Sequence, residues 1–414
     1  MRKGLLVLCS IGILSLSLVS CNGKESKINN KSAEDIMKTA TEETMKNIDT
    51  IMSGNFIGVS FSTSSDLTAK IKVTDTNGLD GVASSTVSQK TEVAANIDVT
   101  KLDSADPAAI EFYELNKQSQ KEESTLKENK DAETVVNSSD AETISEAGLN
   151  LGVYTEVLTM KQNGEEYTNS DSVNLIDIGA YGELTSNVKD AIDSYNGNGD
   201  GTSLDDDLVG SVDPDVIFAV ASTLVMVDSF FNGDIDAETF VTSLEEMLNM
   251  ELGTVEHDVA ITLANLVNDN NPMDYISYTQ IKTKDNLTIK ASLDYSKWKK
   301  DFTKSLDGIV SKTNPELESY GYLQIVQYFT ANLLPESLNL TYSFTTTNNI
   351  ITKITTDVSA KGTLSGEFIG TLMMISGNNQ NISKDLKINY EVSESTVVEL
   401  ALGNTPVTVK KLTV

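Results

Sequence analysis

Apolar residues recur at helical spacing through Ile36, Met37, Ala40, Met45, Ile48 and Met52, which predicts an amphipathic helix over 33–52. Ser32, with Asp35 three positions on, resembles a capping box at its start. The pattern then changes to period two. Ile57, Val59 and Phe61 alternate with small or polar residues, as do Leu67, Ala69, Ile71 and Val73, and Val87 to Val99 reads as a third strand. Asp106-Pro107 predicts a short helix to Leu115. Lys117 to Gly148, rich in Ser, Lys and Glu, predicts a mobile loop. Leu149 to Met160 is extended again, and Asn163-Gly164 predicts a hairpin turn because both residues tolerate positive φ.

The middle of the chain returns to helical spacing. Asp213-Pro214 predicts a helix opening that runs to Phe231, Asp236 caps a second helix to about Asn249, and Thr254 to Asn268 supplies a third. The greasy run Val216 to Val227 ends in Asp228 and is too short to cross a bilayer, so it predicts a buried core helix. Beyond Pro272 the strand pattern resumes: Leu287, Ile289, Ala291, Leu293 and Tyr295 alternate with Thr288, Lys290, Ser292 and Asp294. Helices follow at about 296–312 and 316–333, with Ser296 as a cap. Leu338, Leu340, Tyr342 and Phe344 then alternate with Asn339, Thr341, Ser343 and Thr345. Asn348-Asn349 turns the chain, Ile350, Ile354 and Val358 continue, and a late strand holds Leu386, Ile388, Tyr390 and Val392. One wet and one greasy side is what antiparallel sheets present, and amphipathic helices are the available cover. The fold class is therefore α+β, with α+β regions at 31–182 and 271–414 and a mostly helical block at 183–270. Both outer regions run helix first, then Ser/Thr-rich paired strands; one continuous sheet and two repeated domains both satisfy that order.

The N-terminus changes the picture. Met1-Arg2-Lys3 is basic, Gly4 to Val19 is apolar apart from small residues, and the run is too short to span a membrane comfortably, so 1–20 reads as a secretory signal. Its closing tetrad, Leu18-Val19-Ser20-Cys21, resembles the lipobox of bacterial lipoproteins. That resemblance implies that Cys21 receives a diacylglyceryl group and becomes the mature N-terminus, tethered through 21–30 to a bacterial membrane, with Asn22 resembling outer-membrane or cell-surface sorting in a two-membrane cell. Several acyl chains, at about 0.8 kcal/mol per buried methylene, hold a protein there durably. Cys9 leaves with the signal, so the exported body has no thiol.

Composition sets the remaining bounds. Arg2 is the only arginine, and the formal charge is -30, which argues against nucleic-acid partners. Between Asp171 and Ile281 there are 22 acidic residues against Lys189 alone. Within that block, Asn196, Asn198, Asp200, Thr202 and Asp207 follow the spacing of a calcium loop with Gly201 at the turn, although Ser203 stands where an apolar residue belongs. Asp228, Asn232 and Asp234 fit the same template less well. A flexible acidic loop is the competing reading of the first stretch, and helix capping by Asp236 explains the second more simply, so Ca2+ is an open expectation and no other cofactor is implied. His257 is the sole histidine and reads as a surface or capping residue; Ser296-Lys297-Trp298-Lys299 matches a bare Ser-x-x-Lys pattern without companions.

The helix with Thr-rich strands behind a lipobox is similar to bacterial lipoproteins of the lipoprotein-carrier superfamily, of LolA and LppX type, over roughly 31–182 and 271–414. The resemblance implies a strongly curved antiparallel sheet whose greasy concave face, lidded by helices, holds acyl chains. The expectation is a non-enzymatic, lipid-anchored envelope protein that binds or carries a lipidic ligand. The alternative is a surface-exposed interaction protein of adhesin type. For the greasy face, ordinary core packing competes with ligand binding.

Overall fold

The computed structural model describes residues 25–197, 226, 229–231, 233–248, 252–375 and 382–412. Its strands are β1 (Glu25–Ile28), β2 (Phe56–Thr74), β3 (Asp80–Asp98), β4 (Ile110–Lys127), β5 (Val135–Asn150), β6 (Val153–Gln162), β7 (Glu165–Asn174), β8 (Ile276–Lys282), β9 (Asn286–Leu293), β10 (Ser337–Thr347), β11 (Ile350–Ser365) and β12 (Lys387–Gly403). The helices are α1 (Asn30–Met52), α2 (Ala180–Tyr195), α3 (Ala237–Leu248), α4 (Thr254–Asp269), α5 (Tyr295–Lys312), α6 (Glu318–Leu333) and α7 (Gly366–Ile375).

All twelve strands join one curved antiparallel sheet in the order β1-β8-β9-β10-β11-β12-β2-β3-β4-β5-β6-β7. The two strand-rich regions therefore share one sheet: β12 pairs β2 without a break from Lys387↔Thr74 to Gly403↔Gly58. Turn chemistry fixes the hairpins. Asn163 and Gly164, and Asn348 and Asn349, all take positive φ, as two-residue hairpin loops require. The edge strand β7 is almost wholly exposed and polar, which disfavours pairing with another chain.

Register assigns every strand residue to a face. Directly opposed residues share a side, so Ile289, Phe344, Ile354 and Val398 line up across β9–β12, and Val59, Ala95, Phe112 and Leu149 across β2–β5. This is the apolar face. Helix α1 crosses it and buries Ala33 and Ala40 against Ile289 and Phe344. Farther along, α1 places Ile51 beside Ile57, Ile110 and Leu149, a cluster completed by Tyr181, Val188 and Ile192 of α2. Tyr181 locks α2 there by donating to the carbonyls of Asp106 and Pro107, both at 3.1 Å. Helices α4, α5 and α6 build a separate core around Leu266, Leu306 and Leu323. No helix among the described residues is long and apolar enough to cross a membrane.

Four local expectations are corrected. The first helix begins earlier than 33, because Asn29 rather than Ser32 is its N-cap; the Asn29 side chain accepts from the Ser32 N–H at 2.8 Å. Asp106-Pro107 opens no helix: Asp106 Oδ1 accepts from the Ala108 N–H at 2.9 Å, a local turn, and β4 starts at Ile110. The segment 117–148 is not a loop. It forms most of the β4–β5 hairpin, with 128–134 as the connection, and is held by its backbone ladder and pairs such as Lys117–Glu142 at 2.5 Å. Finally, α5 is capped by Asp294, which accepts from the Lys297 N–H, and not by Ser296. Of the acidic block, α2, α3 and α4 are helical, and Asp236 caps α3 through the Thr239 N–H at 2.8 Å. Nearly all of the expected helix from Asp213 to Phe231 lies outside the described residues.

The segment after β12 is a feature the periodicity did not announce. Residues 405–412 run extended across the opposite face from β2 to β5. The Thr405 carbonyl sits 2.1 Å from where a Cβ on Gly58 would stand, and Val407 exchanges two hydrogen bonds with the Asn96 side chain, at 2.8 and 2.9 Å. Lys411 then pairs with Glu111 at 3.2 Å, Lys410 pairs with Glu146, and Leu412 packs over Gly148.

Candidate ligand-binding cavity

Where α1 passes over the centre of the apolar face, contact is incomplete. A cavity of about 480 Å³ remains between Met45, Ile48 and Met52 of the helix and Val59, Phe61, Val93, Phe112, Leu400 and Leu402 of the sheet. Native interiors seldom leave a void larger than a water molecule. This one is within the range of about 300–1,000 Å³ typical of small-molecule pockets. Its walls come from four adjacent strands, β11, β12, β2 and β3, with β4 at one side, because inward residues alternate in register across all of them.

The roof is latched at one point. Thr44 Oγ1 donates to the Ala40 carbonyl at 2.6 Å, and the same oxygen accepts from the Ile351 N–H at 2.9 Å. The sheet supplies that donor because register shifts between Thr345 and Thr346, opposite the start of β11. At its far end α1 is tied to α2: the Tyr195 hydroxyl donates to Asp49 Oδ1 at 2.6 Å, and Asn196 Nδ2 donates to the Met52 carbonyl at 2.9 Å.

One side of the cavity is polar. Thr91 and Glu114 line it there, and Asn116 links them, accepting from Thr91 Oγ1 at 3.0 Å and donating to Glu114 Oε1 at 2.6 Å. Next to them on the same face, burial pushes the Tyr154 hydroxyl up to about 12, helped by its hydrogen bond to Glu156 and by the charges of Glu156 and Glu114. Beyond this row the apolar face turns polar through Ser65, Gln89, Gln118 and Thr396.

The residues singled out in the sequence lie elsewhere. Cys21, Asn198, Asp200, Thr202, Asp207, Asp228 and Asn232 are outside the described residues. Asn196 is the C-cap of α2, with its amide committed to Met52, and Asp234 is exposed, its backbone N–H bonded to the Ser229 carbonyl. Among the described residues no group of three or more His, Cys, Asp and Glu side chains can hold a metal. His257 joins α4 to α3 through Glu245, at 2.8 Å. Lys299 spends its ammonium on the carbonyls of Leu334 and Pro335, at 3.3 and 2.7 Å, while Ser296 is exposed. Sequence reading missed Thr44, Phe112 and Glu114. The last two lie within the helix expected to Leu115, although Ile110, Phe112 and Glu114 alternate as a strand does. No family model matches the chain, and no curated protein is significantly similar to it.

Proposed function

We propose that the protein is an exported lipoprotein, anchored at a bacterial cell envelope through Cys21, that holds a hydrocarbon chain between α1 and the sheet without chemically altering it. The observation that carries this reading is the cavity of about 480 Å³ beneath α1, walled by Met45, Ile48, Phe61, Val93 and Leu400. An apolar ligand gains about 0.8 kcal/mol for each methylene it withdraws from water, so a chain of moderate length binds without any specific polar contact. The likeness to lipoprotein carriers agrees with a curved antiparallel sheet whose greasy side is crossed by a helix. The acidic block has no counterpart in that resemblance.

The test is transfer of a fluorescent fatty acid from vesicles to the purified protein. The reading predicts uptake by the wild type and loss of uptake in Leu400→Trp and Val93→Trp, whose indoles fill the space. Uptake that survives both substitutions places the probe elsewhere and contradicts it.

A further inference from the structure

The two sides of the sheet differ in charge as sharply as in greasiness. Every lysine of β2–β7 and β9–β12 falls on the face opposite α1, among them Lys70, Lys90, Lys117, Lys121, Lys353 and Lys361. There they meet acids in pairs such as Lys117–Glu142, Lys353–Glu399 and Lys361–Glu391. On the apolar face of these strands the charged residues are carboxylates only, including Glu114, Glu122 and Glu394. The one strand lysine on that face, Lys282, is on β8, separated from β4 by six intervening strands. Lys38 and Lys46 of the roof are exposed, and Lys46 pairs with Glu43.

Glu114 is therefore a half-buried carboxylate in the cavity wall that accepts from an amide and, among the described residues, forms no ion pair; Lys353, the other charged residue lining the cavity, is paired with Glu399 on the opposite face. Charges held close together in a partly desolvated wall interact several times more strongly than they do in bulk water. An anionic head at the polar side of the cavity meets that as repulsion, and a cationic head meets it as attraction. Building on the hydrocarbon-binding reading above, we propose that the cavity selects its ligand by head charge: the tail lies under α1, and a cationic, ammonium-type head rests against Glu114 and Thr91. Phosphate- and carboxylate-headed amphiphiles are disfavoured on the same ground.

Competition among matched amphiphiles tests this. The purified full chain is loaded with an apolar reporter dye and titrated, below micellar concentrations, with dodecyltrimethylammonium, dodecanol and dodecyl sulfate. Displacement is expected in that order, with at least a tenfold advantage of the ammonium over the sulfate, and Glu114→Gln should shrink that advantage to threefold or less. Equal displacement by all three, a preference for sulfate, or an unchanged ratio in Glu114→Gln overturns the head-charge proposal while leaving hydrocarbon binding intact. Failure of every amphiphile to displace the dye, or displacement that persists in folded Leu400→Trp and Val93→Trp, overturns the cavity reading itself. Circular dichroism confirms that each variant is folded.

Discussion

Thr44 shows how much one side chain decides. A threonine in mid-helix ordinarily returns its hydroxyl to the preceding turn, and this one does so, yet its oxygen also satisfies a sheet N–H that the bulged register leaves over. Thr44→Val keeps the shape and orphans the Ile351 N–H, which costs about 1–3 kcal/mol. Urea unfolding should show that loss, with Thr44→Ser close to wild type. Gly58 makes a similar point on the opposite face. Any Cβ there lies 2.1 Å from the Thr405 carbonyl, so Gly58→Ala must lift the 405–412 segment, and trypsin should then cut after Lys410 and Lys411 faster than in wild type. The same segment is pH-sensitive through Glu146. Burial raises that carboxyl, but hydrogen bonds from Lys410 and Tyr113 outweigh it and hold the group below its ordinary 4.5. A depressed carboxylate stabilises the fold above its unfolded value and loses that contribution as pH falls through the folded one. Hydrogen-exchange protection of the Val407 amide, corrected for intrinsic rate, should therefore decline below pH 4.5 in wild type and be low already at neutral pH in Glu146→Gln.

At the scale of elements, α1 is the part most readily derived from the chain, because a single apolar stripe suffices to predict it. Its cap was not, since Asn29 and Ser32 are both competent and only the entering backbone chooses between them. Asn29→Ala should cost about 1 kcal/mol in thermal or urea unfolding, and Ser32→Ala less; the reverse order would restore the capping box. The strands divide in the same way. Those with one apolar and one polar side, such as β9 and β10, announce themselves by alternation, whereas the outer parts of β4 and β5 are polar on both sides and give no periodic signal. Their pairing comes from the neighbouring ladder and from cross-strand charges, which local sequence does not display. Glu114 escapes for a different reason: it falls in the helix expected from Asp106-Pro107 to Leu115, and the polar wall of the cavity goes with it.

At the scale of the whole molecule, one sheet of twelve strands gathers the first and last thirds of the chain, and the cavity exists only because β11 and β12 lie beside β2 and β3. Alternation located the greasy face, but which strands adjoin is a long-range fact fixed by β12 meeting β2. The Thr-rich composition also acquires a reason at this scale. Thr288 and Thr345 are buried opposite one another with their hydroxyls 2.8 Å apart, so the side of the sheet turned from α1 is tied by hydroxyl pairing as well as by ion pairs. Carriage of hydrocarbon requires that the space under α1 be a berth for an acyl chain. Native mass spectrometry of the Cys21→Ala protein, purified from its host without delipidation, tests it directly. The account predicts a species carrying one noncovalent lipid-sized adduct that disappears in the Leu400→Trp variant. A spectrum at the bare polypeptide mass, unchanged after incubation with acyl lipids, would contradict it.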